Sequence, residues 1–171
     1  LAKITLAEAV KLKSILNKRV HELEEEMDRV AFVEMEKGGK KPVLPRTLKD
    51  VEIDLDTVRK DMRLLDRLVY AANIENNVNF NGEEYPIVEA IELATQLRAK
   101  ARKYKEYGAA QKEEFPYSYG ENISIVKVAL FEPEEFRVKG LEAERQANKL
   151  SNLINAKNYS IELDFDADNY F

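Results

Sequence analysis

The chain has 171 residues, 32 acidic against 27 basic side chains for a net charge of −5, and no cysteine. That length suits a single domain over residues 1–171. The missing cysteines remove disulfides, thiolate metal sites and cysteine nucleophiles, and the charge has the wrong sign for a non-specific phosphate binder. No apolar run approaches the roughly 18 residues of a membrane-spanning helix, and the first residues lack the basic segment, apolar core and cleavage site of an export signal. The expectation is a cytoplasmic protein with no membrane span and no nucleic-acid partner.

A first helix is predicted over residues 5–37. Leu6, Ala9, Lys13, Leu16, Val20, Leu23, Met27 and Val30 follow one another in alternating steps of three and four, and Thr5 and Glu8 stand at capping-box spacing. Only Lys13 interrupts the seam. Leu12 and Ile15 flank it, so either the stripe drifts around the helix or Lys13 snorkels over an edge. Gly38 and Gly39 are expected to end this helix, and Lys40 to Arg46, with Pro42 and Pro45, to form a short loop.

The next stretch is the one the chain is organised around. Leu48, Val51, Leu55, Val58, Met62, Leu65, Val69 and Ala72 repeat the same spacing with every position apolar, and Thr47 and Asp50 cap the start. Leu64, Leu68 and Ala71 add a second stripe. The resulting arc is wider than one neighbour covers, so at least two helices are expected to pack on it. Two helices of similar length joined in this way predict an antiparallel hairpin over residues 1–77.

Residues 78–171 are expected to pack on that hairpin. Asn81-Gly82, between alternating residues from Val78 to Tyr85, predicts a small β-hairpin after the asparagine cluster Asn73 to Asn77. Pro86 suits the first position of a third helix ending at Gly108. Its inner face carries Ile87, Ala90, Ile91, Ala94, Leu97, Ala101 and Tyr104, and the alanines predict close approach to the central helix. Residues 109–121 are turn-like, with Phe115, Tyr117 and Tyr119 in a loop, and 123–130 reads as a covered strand. Glu132 to Glu135 open a fourth helix continued by Phe136, Ala143, Ala147, Leu150 and Ile154, with Gly140 weakening it locally. After residues 155–158, Tyr159, Ile161, Leu163 and Phe165 alternate as a half-buried strand before a frayed acidic end. The fold class is mainly α: a long antiparallel helical hairpin and two further helices in a bundle, with a small β-hairpin and one or two short strands in the C-terminal half.

This order of signals, with its Ile74-Glu75-Asn76 break, its Asn81-Gly82 turn and Asn155-Ala156-Lys157-Asn158-Tyr159 near the end, resembles a family of uncharacterised bacterial helical proteins, some of whose members are named septicolysin. Asn155 and Tyr159 stand here where that family's ending has Gln and Trp, and Thr95-Gln96 replaces an Arg-Asp pair. The resemblance implies a helical fold and self-assembly and supplies no catalytic, cofactor or metal residue. The septicolysin name implies a pore-forming alternative.

The residues themselves point the same way. His21 is the one histidine, on the outer side of the first helix among Glu22, Glu24, Glu25 and Glu26, and position 18 is Lys, so a Glu-x-x-His di-iron set fails on ligand count. Asp164, Asp166 and Asp168 alternate like early calcium-loop ligands without the glycine and closing glutamate of such a loop. No catalytic residue and no cofactor are assigned. Arg59, Arg63 and Arg67 form a stripe that reads as intrahelical salt bridges or as an anion-binding ladder. Arg98, Lys100, Arg102, Lys103 and Lys105 read as a solvated helix end, with nucleic-acid contact through Tyr104 and Tyr107 the sharper alternative. Leu64, Leu68, Tyr117 and Tyr119 are the candidate interface residues. Three functions follow: a self-assembling structural or interaction protein forming a homo-oligomer, which is favoured; a pore-forming or membrane-acting protein; and a small-ligand or enzyme site formed between subunits, with the ligand unknown.

Overall fold

Thr5 closes a capping box on the first helix: its hydroxyl accepts from the Glu8 amide at 3.1 Å, and Glu8 Oε1 accepts from the Thr5 amide at 3.2 Å. In the computed structural model, which describes residues 2–115 and 125–171, this helix is α1, Leu6–Ala31. A second box, between Thr47 and Asp50, opens α2, Leu48–Glu75. The chain divides into two compact units, Leu1–Glu75 with Lys157–Phe171, and Asn76–Ala156.

In the first unit α1 and α2 run antiparallel. Lys13 meets Asp66 at 2.9 Å, Glu24 meets Arg59 at 3.2 Å and Glu26 meets Arg46 at 2.6 Å, so rising numbers on one helix face falling numbers on the other. Between them lie buried Leu6, Leu12, Leu16 and Leu23 from α1 and Val51, Leu55, Val58, Leu65 and Ala72 from α2. The stripe drifts at its polar member: Leu12 enters the core, and Lys13 stays outside to pair with Asp66.

α1 ends at Ala31, not near Lys37, and Phe32 turns to extended backbone at φ −131° and ψ 151°. The reason is the length of its partner. Arg46, just before α2, holds both Glu26 at 2.6 Å and Asp54 at 2.7 Å, so α1 continued past this clamp would overshoot the start of α2 with no apolar surface to bury against. Gly38, at φ +83°, sits in the connection and does not cap the helix.

The C-terminal segment completes this unit. β1, Ile4–Thr5, pairs antiparallel with β6, Glu162–Leu163, and the Leu6 amide donates to the Ile161 carbonyl at 2.9 Å. Ile161, Leu163, Phe165 and Ala167 alternate inward, leaving Asp164, Asp166 and Asp168 on the solvent side. The expected frayed end is therefore corrected: the Tyr170 hydroxyl donates to the Asp61 carboxylate on α2, and Ala167 accepts from the amides of Tyr170 and Phe171. Within this unit one helix and one extended segment pack with α2, where the width of its stripe predicted two helices.

Burial first, and then the Asp61 carboxylate, raise the Tyr170 phenol above the ordinary tyrosine value. A folded-state pKa raised in this way contributes stability that is fully present below about pH 10 and is lost as the pH climbs beyond it. The gap in urea midpoint between the wild type and Tyr170→Phe is therefore expected to stay constant up to about pH 10 and to close above it. A gap that persists unchanged to about pH 11 contradicts the assignment.

In the second unit, β2, Asn77–Phe80, and β3, Glu83–Pro86, pair in register across Asn81 and Gly82, whose φ values of 52° and 82° make the primed turn that Asn-Gly favours. Val78 and Phe80 are buried beneath it. Pro86 is the residue capping α3, Ile87–Gly108, one position earlier than expected. Ile87, Ala90, Ala94 and Ala101 are buried, whereas Ile91 is 44% exposed and leaves the predicted inner face.

The last helix, α4, is Pro133–Ser160. Small residues let it approach α3 closely. A Cβ built on Gly108 would stand 2.6 Å from the Arg137 Cα, and one on Gly140 would stand 3.0 Å from the Lys105 amide nitrogen. Close approach is thus found between α3 and α4, and Gly140 serves it. α4 also runs through residues 155–158, where a break was expected, so Tyr159 belongs to the helix and the final strand begins after it.

Of the strand expected over 123–130, the described residues 125–130 contain β5, Lys127–Val128, paired with β4, Glu113–Glu114. Ile125, Val126, Val128 and Leu130 are exposed instead of covered; Ile123 lies outside the described residues.

Candidate functional site

Two surfaces bear chemistry, one on each unit. In the second unit four aromatic rings collect where α3 ends and α4 begins. Phe136 takes Tyr104 edge-on at 5.2 Å, Tyr107 at 5.6 Å and Phe131 at 5.0 Å, and Tyr107 lies tilted against Phe131 at 5.1 Å. Tyr104 and Tyr107, the rings of the nucleic-acid alternative, are thus both members of this cluster. Beside it, Tyr107 and Phe131 form one side of a hollow of about 570 Å³ whose remaining lining includes Glu106, Gln111, Glu114, Lys127, Val128 and Leu130. β4 and β5 bring Glu114 and Lys127 opposite each other in register.

The basic residues nearby are mostly engaged. Arg98 donates to the Ser151 hydroxyl, Lys105 pairs with Glu144, Lys103 pairs with Glu106 at 3.7 Å, and the ammonium of Lys100 stands 5.9 Å from the Tyr104 ring centre. Lys112 donates to the Phe131 carbonyl at 2.9 Å and to Glu132 at 2.8 Å, which ties the ribbon to the start of α4.

On the first unit the arginine stripe divides. Arg59 pairs with Glu24 across the hairpin, in place of the predicted intrahelical bridge, and Arg63 and Arg67 are exposed with no carboxylate partner among the described residues. Of the glutamates around the exposed His21, Glu22 pairs with Arg19 at 3.6 Å, whereas Glu24 and Glu26 reach arginines of the other helix. Leu64 and Leu68 are half-buried; Tyr117 and Tyr119 lie outside the described residues. No group of three or more His, Asp or Glu placed to hold a metal ion occurs among the described residues.

The remaining feature is the connection between α1 and α2. An antiparallel helix pair needs only about 2–5 residues to turn, yet this lobe runs from 32 to 47. It presents Phe32 at 83% exposure and Val43 at 97%, with Val33, Met35 and Leu44 also exposed. Glu34, Glu36, Lys37, Lys40 and Lys41 alternate between them on exposed backbone. Sequence reasoning missed this surface because it assigned residues 32–37 to a helix. The available signal was the end of the apolar seam at Val30.

No protein-family model matches the chain, and no curated protein does. Among solved structures it is similar to a functionally unknown conserved protein from Corynebacterium diphtheriae, 22% identical over 95% of this chain and 99% of that one, with a TM-score of 0.61. That likeness shows the fold. It extends to a conserved bacterial protein of unknown function and brings no support for the septicolysin name.

Proposed function

We propose that the protein is a non-enzymatic, self-assembling interaction module whose copies meet through the lobe at residues 32–46. The observation that carries the reading is Phe32 and Val43 standing almost wholly in solvent on a connection several times longer than closure requires. The chemistry of the lobe favours a second copy as the occupant. It mixes apolar side chains with Glu34 and Glu36 on one arm and Lys37, Lys40 and Lys41 at and beyond the Gly38 tip, so a two-fold axis sets acids of one copy against lysines of the other. Arg46, clamped to Glu26 and Asp54, holds the lobe to the rigid hairpin and lowers the cost of ordering it on association. This moves the expected interface from Leu64 and Leu68, which are already half-buried, to residues whose burial within the chain is slight.

The test is Phe32→Ser with Val43→Ser. Both sites are exposed, so stability is expected to change by no more than about 0.5 kcal/mol each, while the assembled species disappears from size-exclusion elution. Unchanged elution of the double variant contradicts the proposal. The membrane-acting alternative implied by the resemblance predicts dye release from liposomes, and no helix among the described residues is long and apolar enough to cross a membrane.

A further inference from the structure

We propose that the hollow beside the β4–β5 ribbon is a binding site for an amphipathic cation, a primary amine carried on an aromatic or alkyl tail. Its volume of about 570 Å³ falls within the roughly 300–1,000 Å³ of small-molecule sites, and it combines apolar walls with a few polar groups in the manner of such sites. The walls choose the apolar part of the ligand. Tyr107 and Phe131, tilted 34° to one another, offer ring surface, and Val128, Leu130, Ala110 and Ala129 supply aliphatic contact.

The charge is chosen by three features. First, the lining holds two carboxylates, Glu106 and Glu114, against one ammonium, Lys127, and since Lys103 already takes Glu106 at 3.7 Å, Glu114 is the carboxylate open to a ligand. Second, Glu114 is half-buried and its carboxylate has no hydrogen-bond or ion-pair partner among the described residues, although Lys127 stands opposite it in register. A carboxylate held near apolar surface without a partner gains from an arriving cation. Third, the faces of the aromatic rings carry negative potential that attracts ammonium and repels carboxylate. Lys103 already stands 5.1 Å from the Tyr107 ring centre, which shows this ring taking a cation on one face. The neighbouring cation Lys112 is occupied by the Phe131 carbonyl and Glu132 and does not compete for the site.

Lys127 makes the opposite reading testable, because an amphipathic carboxylate would seek it. The experiment titrates the full chain with phenethylamine and with 3-phenylpropionate, matched in size and opposite in charge, and follows ring resonances by NMR and heat by calorimetry. The amine is expected to bind at least about tenfold more tightly than the acid, the two differing by one favourable charge contact. Glu114→Gln should weaken the amine about tenfold, and Lys127→Met should strengthen it. Opposite effects from two neighbouring substitutions are not produced by a general loosening of the ribbon. Absence of binding by either compound, equal or tighter binding of the acid, or an amine affinity indifferent to Glu114→Gln overturns the proposal. The outcome is independent of self-assembly, since the probes and variants leave the lobe at residues 32–46 untouched.

Discussion

Deletion of residues 161–171 is expected to unfold the helical hairpin, although the deleted residues follow the last helix and belong to neither α1 nor α2. Ile161, Leu163 and Phe165 are each buried in the first unit, as is the small Ala167. At about 1.5–3 kcal/mol for each large side chain, their removal costs roughly 5–9 kcal/mol as an upper estimate. That is comparable with the whole stability of a typical domain, about 5–15 kcal/mol. The deletion also strips β1 of its only strand partner among the described residues, leaves the Leu6 amide without the Ile161 carbonyl and uncovers core around α1 and α2. Leu163→Asp reaches the same result by one substitution, since it places a carboxylate where the side chain is now 6% exposed. Circular dichroism is expected to show loss of the cooperative melt in both variants. A truncated chain that melts cooperatively within a few degrees of the wild type contradicts this account of the first unit.

Substitution at Gly108 is expected to reverse the usual effect of replacing a helical glycine. In an exposed helix Gly→Ala stabilises by about 1 kcal/mol, because alanine restricts the unfolded chain and favours the helix. Here the new Cβ would meet Arg137 backbone atoms at 2.6 and 2.7 Å, and backbone cannot swing aside as a side-chain end does. Steric cost wins. Overpacking of this kind costs about 1–3 kcal/mol for Gly108→Ala and more for Gly108→Val. Gly140→Ala should cost less, since its nearest backbone neighbour, the Lys105 nitrogen, stands at 3.0 Å, with the Lys105 Cγ at 2.9 Å. Urea midpoints in the order wild type, Gly140→Ala, Gly108→Ala, Gly108→Val, from highest to lowest, are the expected result. A Gly108→Ala variant more stable than the wild type refutes close packing of α3 on α4.

How much of this was legible in the residues depends on whether the signal is local. Both capping boxes, the Asn81-Gly82 turn and the buried seam of α2 were readable, because each is fixed by side chains within one or two turns of each other. The end of α1 was not, since it is set by where α2 begins and by the Arg46 clamp across the hairpin. The role of Gly140 was hidden for the same reason: the weak point of one helix is the contact point of two. A signal did exist, since Ala94, Ala101 and Gly108 repeat at seven-residue spacing, which marks a narrow seam for a close partner. The acidic tail read as frayed because Asp164, Asp166 and Asp168 dominate its composition, whereas the alternation of Ile161, Leu163 and Phe165 continues through Ala167 and predicts a fixed strand. Of the candidate sites, the lobe was concealed by an overlong helix, and the hollow joins residues separated in sequence, from Glu106 to Phe131.

The proposed self-assembly therefore rests on another surface than the central helix. A central helix too apolar for one neighbour argued for partners along its length, but α1 and the C-terminal segment of the same chain pack with that helix, and the two most exposed apolar side chains of the first unit, Phe32 and Val43, are on its lobe. Static light scattering of the wild-type chain across a wide dilution series tests this most directly. The account predicts a molar mass of two or more times the 19.7 kDa chain at high concentration. A mass of 19.7 kDa at every concentration contradicts it.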